Sequence, residues 1–279
     1  MHVFALGASR ATGYHVALNF LEKGDMVSIP LRTPGTLETD EAMKKYLEDG
    51  KLVLYACDAM KAGDIARVWA AAIERAPVDL VFFGIGPGVR FEMSSLARGG
   101  IAVPPNASTV CFLNVIQAIY STSTQEATGS SSTTNVNVEP KLVVLSAGAV
   151  TPSSLSMTPF PIRSIVSWAF HGPNVDKRGM ETIVFHGWKK PYEEGMTPAE
   201  DEGVLPPLWQ QRLPAEGWAK HVVVIRPPGL TDGKETGRYE ARTETFRTLR
   251  MSRRDLARFV SKDLVEKWST YEGHVVTIG

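Results

Sequence analysis

The stretch VFALGASRATGYHVALNFLEKG, residues 3–24, decides the fold. It begins with an apolar run, passes through the loop GASRATG and continues as a helical pattern. A strand that turns tightly into a helix is typical of parallel α/β sheets, and the free N–H groups that open such a helix can bind a phosphate. Gly7 would allow the turn and Gly13 a close approach; a plain strand-to-helix turn, which also favours glycine, is the alternative.

The same alternation of strand and helix continues along the chain. Apolar runs rich in Val, Leu and Phe predict strands that are buried on both faces, at 2–7, 26–32, 51–58, 78–86, 141–148, 220–229 and 274–279. Helical patterns lie between them at 14–23, 38–49, 62–75, 107–120, 175–188 and 254–268. This order predicts right-handed βαβ units, and therefore an α/β protein with a Rossmann-like doubly wound parallel sheet in a single domain over residues 1–279.

The composition limits the class of protein. A chain of 279 residues with 43% hydrophobic content can bury a large core, and its 30 basic residues balance its 30 acidic ones. We therefore expect neither a nucleic acid nor an anionic membrane as a partner. The two cysteines, Cys57 and Cys111, form no disulfide framework and no metal-ligand pattern. A strand that begins by Val3 leaves no room for a leader, and no run is long enough for a bilayer, so we expect a cytoplasmic protein.

Two irregular segments interrupt the pattern. Residues 121–140 are rich in Ser, Thr and Asn and almost lack large apolar residues, so we expect a mobile surface loop that is a tolerated insertion. Residues 151–214 are rich in Pro, Met, Trp and Phe and show one helical pattern. Long connections of this kind often form lids or binding loops, so we expect a small substrate-facing lobe.

The ends of the second and third predicted strands indicate which dinucleotide would bind. An acidic side chain after the second strand would bind the ribose 2′-hydroxyl of NAD, but Arg32 and Thr33 stand there. Together with Arg10 in the glycine-bounded loop, Arg32 favours the 2′-phosphate of NADP(H). A solvated charge at a strand end is the alternative for Arg32. Asp58, after the third strand, either accepts a hydrogen bond from adenine or caps the next helix.

Eight segments, in a fixed order, carry a resemblance to a known family: GASRATG (7–13), PLRTP (30–34), ACDAM (56–60), VDLVFFGIG (78–86), KLVVLSAGAV (141–150), DKRGMETIVF (176–185), VVVIRPPGLTDG (222–233) and SRRDLARFV (252–260). On these segments the chain resembles the atypical short-chain dehydrogenases, in particular the NmrA-like and flavin/biliverdin-reductase-like group. The last two segments are the most specific, because nothing in a general βαβ unit requires them.

The resemblance implies a site for NADP(H). The pyrophosphate would be held by the glycine-bounded loop, through Gly7, Ser9, Arg10, Thr12 and Gly13. Other positions would hold the 2′-phosphate (Arg32, with Thr33 beside it), the adenine (Asp58), the ribose (Gly84 and Ile85) and the nicotinamide border (Pro227, Pro228, Gly229 and Leu230). Arg10 is a departure, because many members carry a glycine at that place.

The resemblance also implies candidate catalytic residues. Ser146, at the end of the fifth predicted strand, would donate a hydrogen bond to a substrate carbonyl; a hydroxyl bonded to nearby backbone is the alternative. Lys177 would bind the nicotinamide ribose and bias a proton relay; a surface lysine that faces Glu181 is the alternative. The tyrosine that standard members carry four residues before their lysine is missing, because Pro173 stands there.

A proton for the reduced substrate must then come from another source. Solvent, His171 as a third candidate catalytic residue, and Tyr192 are the possibilities. The predicted lobe would offer an apolar or aromatic substrate the side chains of Met157, Phe160, Trp168 and Tyr192. Core packing is the alternative for at least half of the large aromatic residues in this region.

These expectations favour an NADPH-dependent reductase that transfers hydride to an apolar carbonyl or conjugated acceptor, with Ser146 polarising that acceptor. The alternative is a non-catalytic NAD(P)-binding redox sensor or regulatory protein of the NmrA type, which the missing tyrosine keeps open. An epimerase or isomerase that uses its cofactor transiently is a third possibility, since the fold permits it.

Overall fold

The structure is a computed structural model and describes residues 1–90, 99–126, 139–192, 203–214 and 217–279. Within these ranges the strands are β1 (His2–Leu6), β2 (Met26–Leu31), β3 (Leu52–Ala56), β4 (Leu80–Phe83), β5 (Gly88–Arg90), β6 (Ile101–Val103), β7 (Lys141–Leu145), β8 (Val222–Arg226), β9 (Gly229–Thr231), β10 (Ala241–Arg242), β11 (Arg250–Ser252) and β12 (Val275–Ile278). The α-helices are α1 (Ala11–Glu22), α2 (Gly35–Glu38), α3 (Glu41–Glu48), α4 (Ala62–Arg75), α5 (Ala107–Glu126), α6 (Pro152–Ser156), α7 (Ile162–Ala169), α8 (His171–Gly187), α9 (Arg253–Arg258), α10 (Leu264–Glu266) and α11 (Trp268–Tyr271).

Eight of the strands form one sheet in the order β10-β12-β8-β7-β4-β1-β2-β3. Neighbouring strands are parallel except at one edge, where β10 runs antiparallel to β12. The chain builds outward from β1 to β3 on one side and then returns to β4 on the other. This is the doubly wound order, with its topological switch point between β1 and β4. All seven strands predicted from the sequence lie in this sheet, so the Rossmann-like fold is confirmed.

Helices cover both faces of the sheet. Successive strand residues point to opposite faces, so Val3 and Phe82 join one buried cluster with α1 and α9, while Phe4 and Phe83 join another with α4, α5 and α8. Because neither face meets solvent, the central strands are apolar at almost every position rather than at alternate ones. The continuous apolar runs in the sequence have this physical cause.

The helix boundaries agree with the sequence prediction in some places and differ in others. The range of α4 is the predicted one, whereas α8 begins at His171, four residues earlier than predicted. Helix α5 continues to Glu126, six residues into the segment that was predicted as a mobile loop. That part of the prediction is wrong: once the buried turns of α5 have formed, each further residue adds a hydrogen bond without a new nucleation step. Residues 127–138 of the same segment lie outside the described residues.

The described part of the segment predicted as a substrate lobe contains three α-helices rather than one. Its longest helix, α8, lies against α5 and the sheet, with Met180 and Ile183 fully buried. Trp209 and Trp218 are also buried in this core cluster, which is the packing alternative for the aromatic residues. In the part of the segment that the structure describes, α6 and α7 form a separate surface element, and no residue of α7 is buried. Residues 193–202 of the segment lie outside the described residues.

Candidate functional site

Three glycines let the ends of β1 and β4 and the start of α1 approach one another. Gly7 has φ +74°, and a Cβ there would lie 2.6 Å from the carbonyl carbon of Gly84. A Cβ on Gly13 would lie 2.2 Å from the carbonyl oxygen of Gly7. Gly84 in turn faces the ring of Phe82, at 2.6 Å from an added Cβ. Backbone packing at the switch point therefore requires both glycines that bracket the loop.

The loop presents backbone N–H groups at the switch point. Arg10 precedes α1 in an extended, exposed conformation, and no side chain in the described ranges caps the first turn of α1. Ala11 has φ +53°, which residues other than glycine rarely adopt. Ser9 is partly exposed, whereas Thr12 is buried. Uncapped N–H groups at a helix N-terminus carry partial positive charge, so this loop suits a phosphate.

Arg32 and Thr33 follow β2 directly and are exposed. Because β2 lies beside β1 in a parallel sheet, the ends of both strands reach the same edge, and so Arg32 and Arg10 lie on that edge. Neither guanidinium has a hydrogen bond or ion pair with the part of the chain that the structure describes. Both cations are therefore available to an anionic ligand.

Asp58 lies in the turn between β3 and α4. Its Oδ1 accepts a hydrogen bond from the backbone N–H of Met60 at 3.2 Å, and its own N–H donates to Asp64 Oδ2 at 3.0 Å. The residue that precedes α4 is Lys61, so the expectation that Asp58 caps this helix is wrong. The carboxylate closes the turn instead. Its contact with adenine stays a prediction.

Lys177 is buried at the carboxyl edge of the sheet. Its Nζ donates to the carbonyl oxygen of Ile85, just beyond β4, at 2.7 Å and to that of Leu145, the last residue of β7, at 2.8 Å. Burial lowers the pKa of this amine to about 8, although the charges of Asp176 and Glu181 act in the opposite direction. The alternative of a surface lysine is wrong, because only 8% of the residue is exposed.

Ser146 is the residue next to Leu145, where Lys177 is bound. Its backbone N–H donates to the carbonyl oxygen of Ile225 at 2.8 Å, which fixes the backbone between β7 and β8. Its Oγ is buried and has no hydrogen-bond partner among the described residues. The alternative of a hydroxyl satisfied by nearby backbone is therefore wrong. Leaving a buried polar group unpaired costs about 1–3 kcal/mol, so a ligand that accepts from Ser146 would be stabilised.

A buried aspartate next to Lys177, Asp176, fixes α8 against the start of α5. The carboxylate of Asp176 accepts hydrogen bonds from the backbone N–H groups of Ser108 at 2.7 Å and Thr109 at 2.9 Å, in the first turn of α5. It is fully buried and also accepts from the Thr109 hydroxyl at 2.9 Å. A negative charge at a helix N-terminus is favourable, so this contact locks α8 to α5.

A buried charge pair joins α8 to the end of β8. Arg226 donates from Nε to Glu181 Oε1 at 3.0 Å and from Nη2 to Glu181 Oε2 at 2.6 Å. Tyr192 donates its hydroxyl proton to the same Oε2 at 2.7 Å. The sequence reasoning missed this pair and Asp176. A charge at the end of a strand that is buried on both faces, as at Arg226, is the signal that could have found it, because such a charge needs a buried partner.

The segment after β8 lies beside Ser146. Gly148 donates its N–H to the carbonyl oxygen of Pro227 at 2.7 Å, and a Cβ on Gly148 would lie 2.6 Å from that oxygen. Pro228 and Leu230 are partly exposed and Gly229 is exposed, and β9 pairs with β11. The structure thus brings the predicted nicotinamide border and Ser146 to one place.

The apolar residues predicted to meet a substrate lie on the connection that leaves the sheet edge at Ser146 and returns at Lys177. Phe160 is 76% exposed, and Met157 and Trp168 are each 40% exposed, which is unusual for such large apolar side chains. His171, the first residue of α8, is exposed as well. Tyr192 follows α8 instead, where its hydroxyl is bonded to Glu181 and its ring contacts Phe185.

Two other kinds of site are absent from the described ranges. No helix in them has the length and apolar character needed to cross a bilayer. No three His, Cys, Asp or Glu side chains in them are grouped so that they could hold a metal ion.

No protein-family model matches the chain, and no curated protein matches it. Solved structures that it resembles include the anaerobillin reductase ChuY from Escherichia coli O157:H7, with 15% identity and a TM-score of 0.60 over 100% of this chain and 96% of that one. The chain has a Rossmann fold. It also resembles a short-chain dehydrogenase/reductase from Veillonella parvula in complex with NADP (11% identity, TM-score 0.55, 100% and 94% covered) and a putative NAD-dependent epimerase/dehydratase from Bacillus halodurans (14%, 0.55, 100% and 93%).

Proposed function

We propose that this protein is an NADPH-dependent oxidoreductase of the atypical short-chain dehydrogenase type, which reduces an apolar carbonyl or conjugated acceptor. One observation carries the proposal: the buried ammonium of Lys177 and the unpaired hydroxyl of Ser146 adjoin the same peptide unit at the carboxyl edge of a doubly wound sheet. Ligands of such sheets bind at that edge, near the switch point. Similar folds include a reductase and an NADP complex.

The residues at the edge fit a phosphorylated dinucleotide. The N–H groups that open α1 suit a pyrophosphate, and Arg10 and Arg32 are exposed cations whose planar guanidinium groups match a 2′-phosphate. No acidic side chain replaces Arg32 or Thr33 to favour NAD. Gly84 and Ile85 would border the ribose, and the segment from Pro227 to Leu230 the nicotinamide.

The bound dinucleotide would supply a hydride, and the chain's own residues would prepare the acceptor. The Ser146 hydroxyl donates a hydrogen bond to the acceptor oxygen and draws electron density from the carbon. The positive charge of Lys177 beside it favours the negative charge that develops on that oxygen, and burial strengthens this effect because water does not screen it. Positioning of the two reactants supplies much of the remaining acceleration.

The acceptor that fits best is apolar or aromatic. The exposed side chains of Met157, Phe160 and Trp168 lie on the connection between Ser146 and Lys177, and such a surface binds aromatic rings by burying apolar area and by edge-to-face contacts.

We also propose a reducing, cytoplasm-like compartment. The two thiols, Cys57 and Cys111, are buried and free, which supports it.

The test is a calorimetric titration with NADPH and NADH of the wild-type protein and of Arg32→Ala. We expect NADPH to bind the wild type more tightly, and the substitution to weaken NADPH by about 10- to 100-fold, the value of a charge-assisted hydrogen bond. NADH affinity should change little. Arg242→Ala is the matched control, because Arg242 is an exposed arginine on β10, the edge strand on the side of the sheet far from β2. Equal binding of both dinucleotides by the wild type would refute the NADPH preference, and no binding of either would refute the proposal.

A second function is favoured by one observation, namely that Pro173 stands where a catalytic tyrosine would be expected. A redox-responsive regulator would bind the dinucleotide without turnover. NADPH oxidation in the presence of a panel of aromatic aldehydes, enones and quinones separates the two functions. A reductase consumes NADPH with at least one of them, whereas a regulator binds NADPH and consumes none.

A further inference from the structure

We propose that the surface formed by residues 157–171 and the neighbouring hairpin β5–β6 docks on a phospholipid bilayer. Its apolar side chains enter the lipid interface, and Arg163 pairs with a headgroup phosphate. Docking of this kind goes beyond the proposed function, because it requires neither a bound dinucleotide nor turnover.

Exposed large apolar side chains are concentrated in this part of the molecule. The described ranges contain eleven of them, and six lie between Met157 and Phe170. Two more belong to the hairpin, so the docking surface consists of Val89, Val103, Met157, Phe160, Ile162, Ile165, Trp168 and Phe170. Monomeric proteins normally scatter such side chains singly, and a cluster of them marks a surface that another molecule covers.

The hairpin and the connection that carries α7 are in contact, so the docking surface is continuous. Gly100, just before β6, donates its N–H to the carbonyl oxygen of Trp168 at 3.3 Å, and Gly172 donates to the carbonyl oxygen of Gly100 at 3.1 Å. A Cβ on Gly100 would lie 2.1 Å from the carbonyl oxygen of Ala169 and 3.1 Å from Cγ1 of Val89. The exposed side chain of Val89 therefore adjoins the end of α7.

Helix α7 is amphipathic, yet its apolar face is not buried in the protein. At 3.6 residues per turn, Ile162, Ile165 and Val166 lie on one face, and Arg163 and Ser167 lie on the opposite face. Ile162 is 47% exposed and Ile165 is 61% exposed. Packing of the core gives no reason for this pattern, whereas a helix that lies in the plane of a membrane interface requires it.

Aromatic rings flank both ends of α7. Phe160 precedes the helix and is 76% exposed, Phe170 follows it, and Trp168 lies in its last turn. Aromatic side chains are favourable at the boundary between lipid headgroups and acyl chains, where one part of the ring is apolar and its edge meets polar groups. The rings are therefore placed where an interfacial helix would need them.

The charges of this segment are complementary to a phospholipid headgroup. Residues 140–175 contain no Asp or Glu, although the chain has 30 acidic residues in 279. Arg163 is exposed, and its guanidinium has no ion pair or hydrogen bond with the part of the chain that the structure describes. A carboxylate would be repelled by lipid phosphate, whereas a guanidinium binds phosphate with two parallel hydrogen bonds.

A second copy of the chain is the competing occupant, and the same charges disfavour it. Most dimers are symmetric and bring the same patch of each copy together. Arg163 would then meet a surface whose residues 140–175 offer no carboxylate to pair with it. Because a buried charge without a partner is costly, a headgroup phosphate fits this surface better than a second copy.

The net charge of the chain indicates which kind of bilayer fits. With 30 basic and 30 acidic residues, the molecule has no long-range attraction to an anionic membrane. Burial of apolar area is then the main driving force, and a zwitterionic lipid such as phosphatidylcholine is sufficient. The docking surface lies on the connection between Ser146 and Lys177, so docking brings this edge of the sheet close to lipid.

The test is sedimentation of the full chain with phosphatidylcholine vesicles, without NADPH. We expect the wild type to bind, and Ile162→Asp and Ile165→Asp each to weaken binding by about 10- to 100-fold, the value of burying one isoleucine. Neither change should unfold the protein, because no residue of α7 is buried; urea unfolding and the Kd for NADPH check this. Leu208→Asp is the matched control and should bind as the wild type does, since Leu208 is 66% exposed and precedes a 3-10 helix that is bonded to α5 through Arg212.

Two further measurements test the contribution of charge. Arg163→Glu should weaken binding by about five- to tenfold, the value of one cation near a lipid surface. Sodium chloride up to about 1 M, or phosphatidylserine in the vesicles, should change wild-type binding by no more than about threefold, because apolar burial is not screened by salt. Binding that requires phosphatidylserine and disappears in salt would overturn the proposal.

Trp168 provides a spectroscopic test of which surface enters the lipid. Four tryptophans are buried and Trp188 is partly buried, so Trp168 is the one most accessible to lipid: the buried four are Trp69, Trp209, Trp218 and Trp268. Phosphatidylcholine with brominated acyl chains should quench the fluorescence of the wild type. Trp168→Phe should lose this quenching and still sediment with vesicles within about threefold of the wild type, because phenylalanine keeps most of the apolar area.

The remaining outcomes distinguish this proposal from the proposed function. A wild type that does not sediment with vesicles, or two isoleucine variants that bind as well as the wild type, would overturn docking and leave the oxidoreductase unaffected. A dimer in light scattering that Ile165→Asp dissociates would assign the surface to a second copy and also overturn docking. A protein that docks on vesicles but binds no NADPH would refute the proposed function and support this one.

Discussion

Lys177→Met is predicted to change how the free energy of unfolding depends on pH. The folded protein holds this amine at a pKa of about 8, against the ordinary 10.5, because burial disfavours the ammonium. That difference corresponds to about 3 kcal/mol, from the free energy of a tenfold change in an ionisation constant. Most of it falls between about pH 7 and about pH 10, from the two titration curves combined.

The direction follows from which state holds the proton. Between the two pKa values the unfolded chain is protonated at Lys177 and the folded protein is not, so rising pH stabilises the folded state. The contribution is fully present above the unfolded pKa of 10.5 and is lost as pH falls through about 8. Cys57 and Cys111 act in the opposite direction, because burial raises their pKa values to about 11 and about 12 and the unfolded thiols ionise first.

The assay is therefore a difference measurement. Urea unfolding of wild type and Lys177→Met at several pH values gives two curves in which every other titration is shared. The wild type should gain about 2–3 kcal/mol on the variant between about pH 7 and about pH 10. The hydrogen bonds lost to Ile85 and Leu145 shift the variant by an amount that does not vary with pH. A pH-independent difference would refute the reasoning, because Lys177 would then titrate as it does in water.

Three further predictions concern packing, thiols and an aspartate. Gly13→Ala should destabilise the protein by about 3 kcal/mol or more in urea unfolding, or prevent folding, because the added Cβ would lie 2.2 Å from the carbonyl oxygen of Gly7. Gly63→Ala is the control: its Cβ would meet nothing within 4 Å, so the substitution should be neutral or stabilising by up to about 1 kcal/mol. Cys57 and Cys111 should not react with Ellman's reagent at about pH 8 until urea unfolds the protein, since both are buried with raised pKa values. Asp255→Asn should make the stability less sensitive to acid. Burial alone would raise the pKa of Asp255, but the hydrogen bonds to its carboxylate outweigh burial and hold the pKa below the ordinary 3.8. The stability that Asp255 contributes to the wild type is therefore lost as pH falls below 3.8, and the variant has no such loss.

Each of these has a clear contrary result. Equal stability of the Gly13 and Gly63 variants would mean that the loop relaxes without strain. Rapid labelling of either thiol in the folded protein would mean that its surroundings open. Identical acid unfolding of wild type and Asp255→Asn would mean that hydrogen bonds from Ser252, Thr236 and Gly237 do not favour the ionised form.

Short-range patterns predicted the elements that depend on neighbours in sequence. The range of α4 agreed to the residue, because its apolar spacing and its ends are local features. Helices α6 and α7 were missed, since they are short and contain or follow prolines, so neither has a long periodic pattern. The extension of α5 to Glu126 was missed for a related reason: Ser and Thr have weak intrinsic preferences, and a packed helix can continue through them.

The sequence by itself determined the doubly wound sheet, the glycine-bounded turn after its first strand and the two arginines at its edge. Apolar runs between helices allow few other topologies, and a turn this tight needs glycine. Only the tertiary structure decided that Lys177 is buried, since its partners Ile85 and Leu145 lie 92 and 32 residues away. A lysine four residues before Glu181 has the same spacing on an exposed helix as on a buried one. Whether such a charge meets water or backbone carbonyls depends on strands that are distant in the chain, and local pattern carries no information about them.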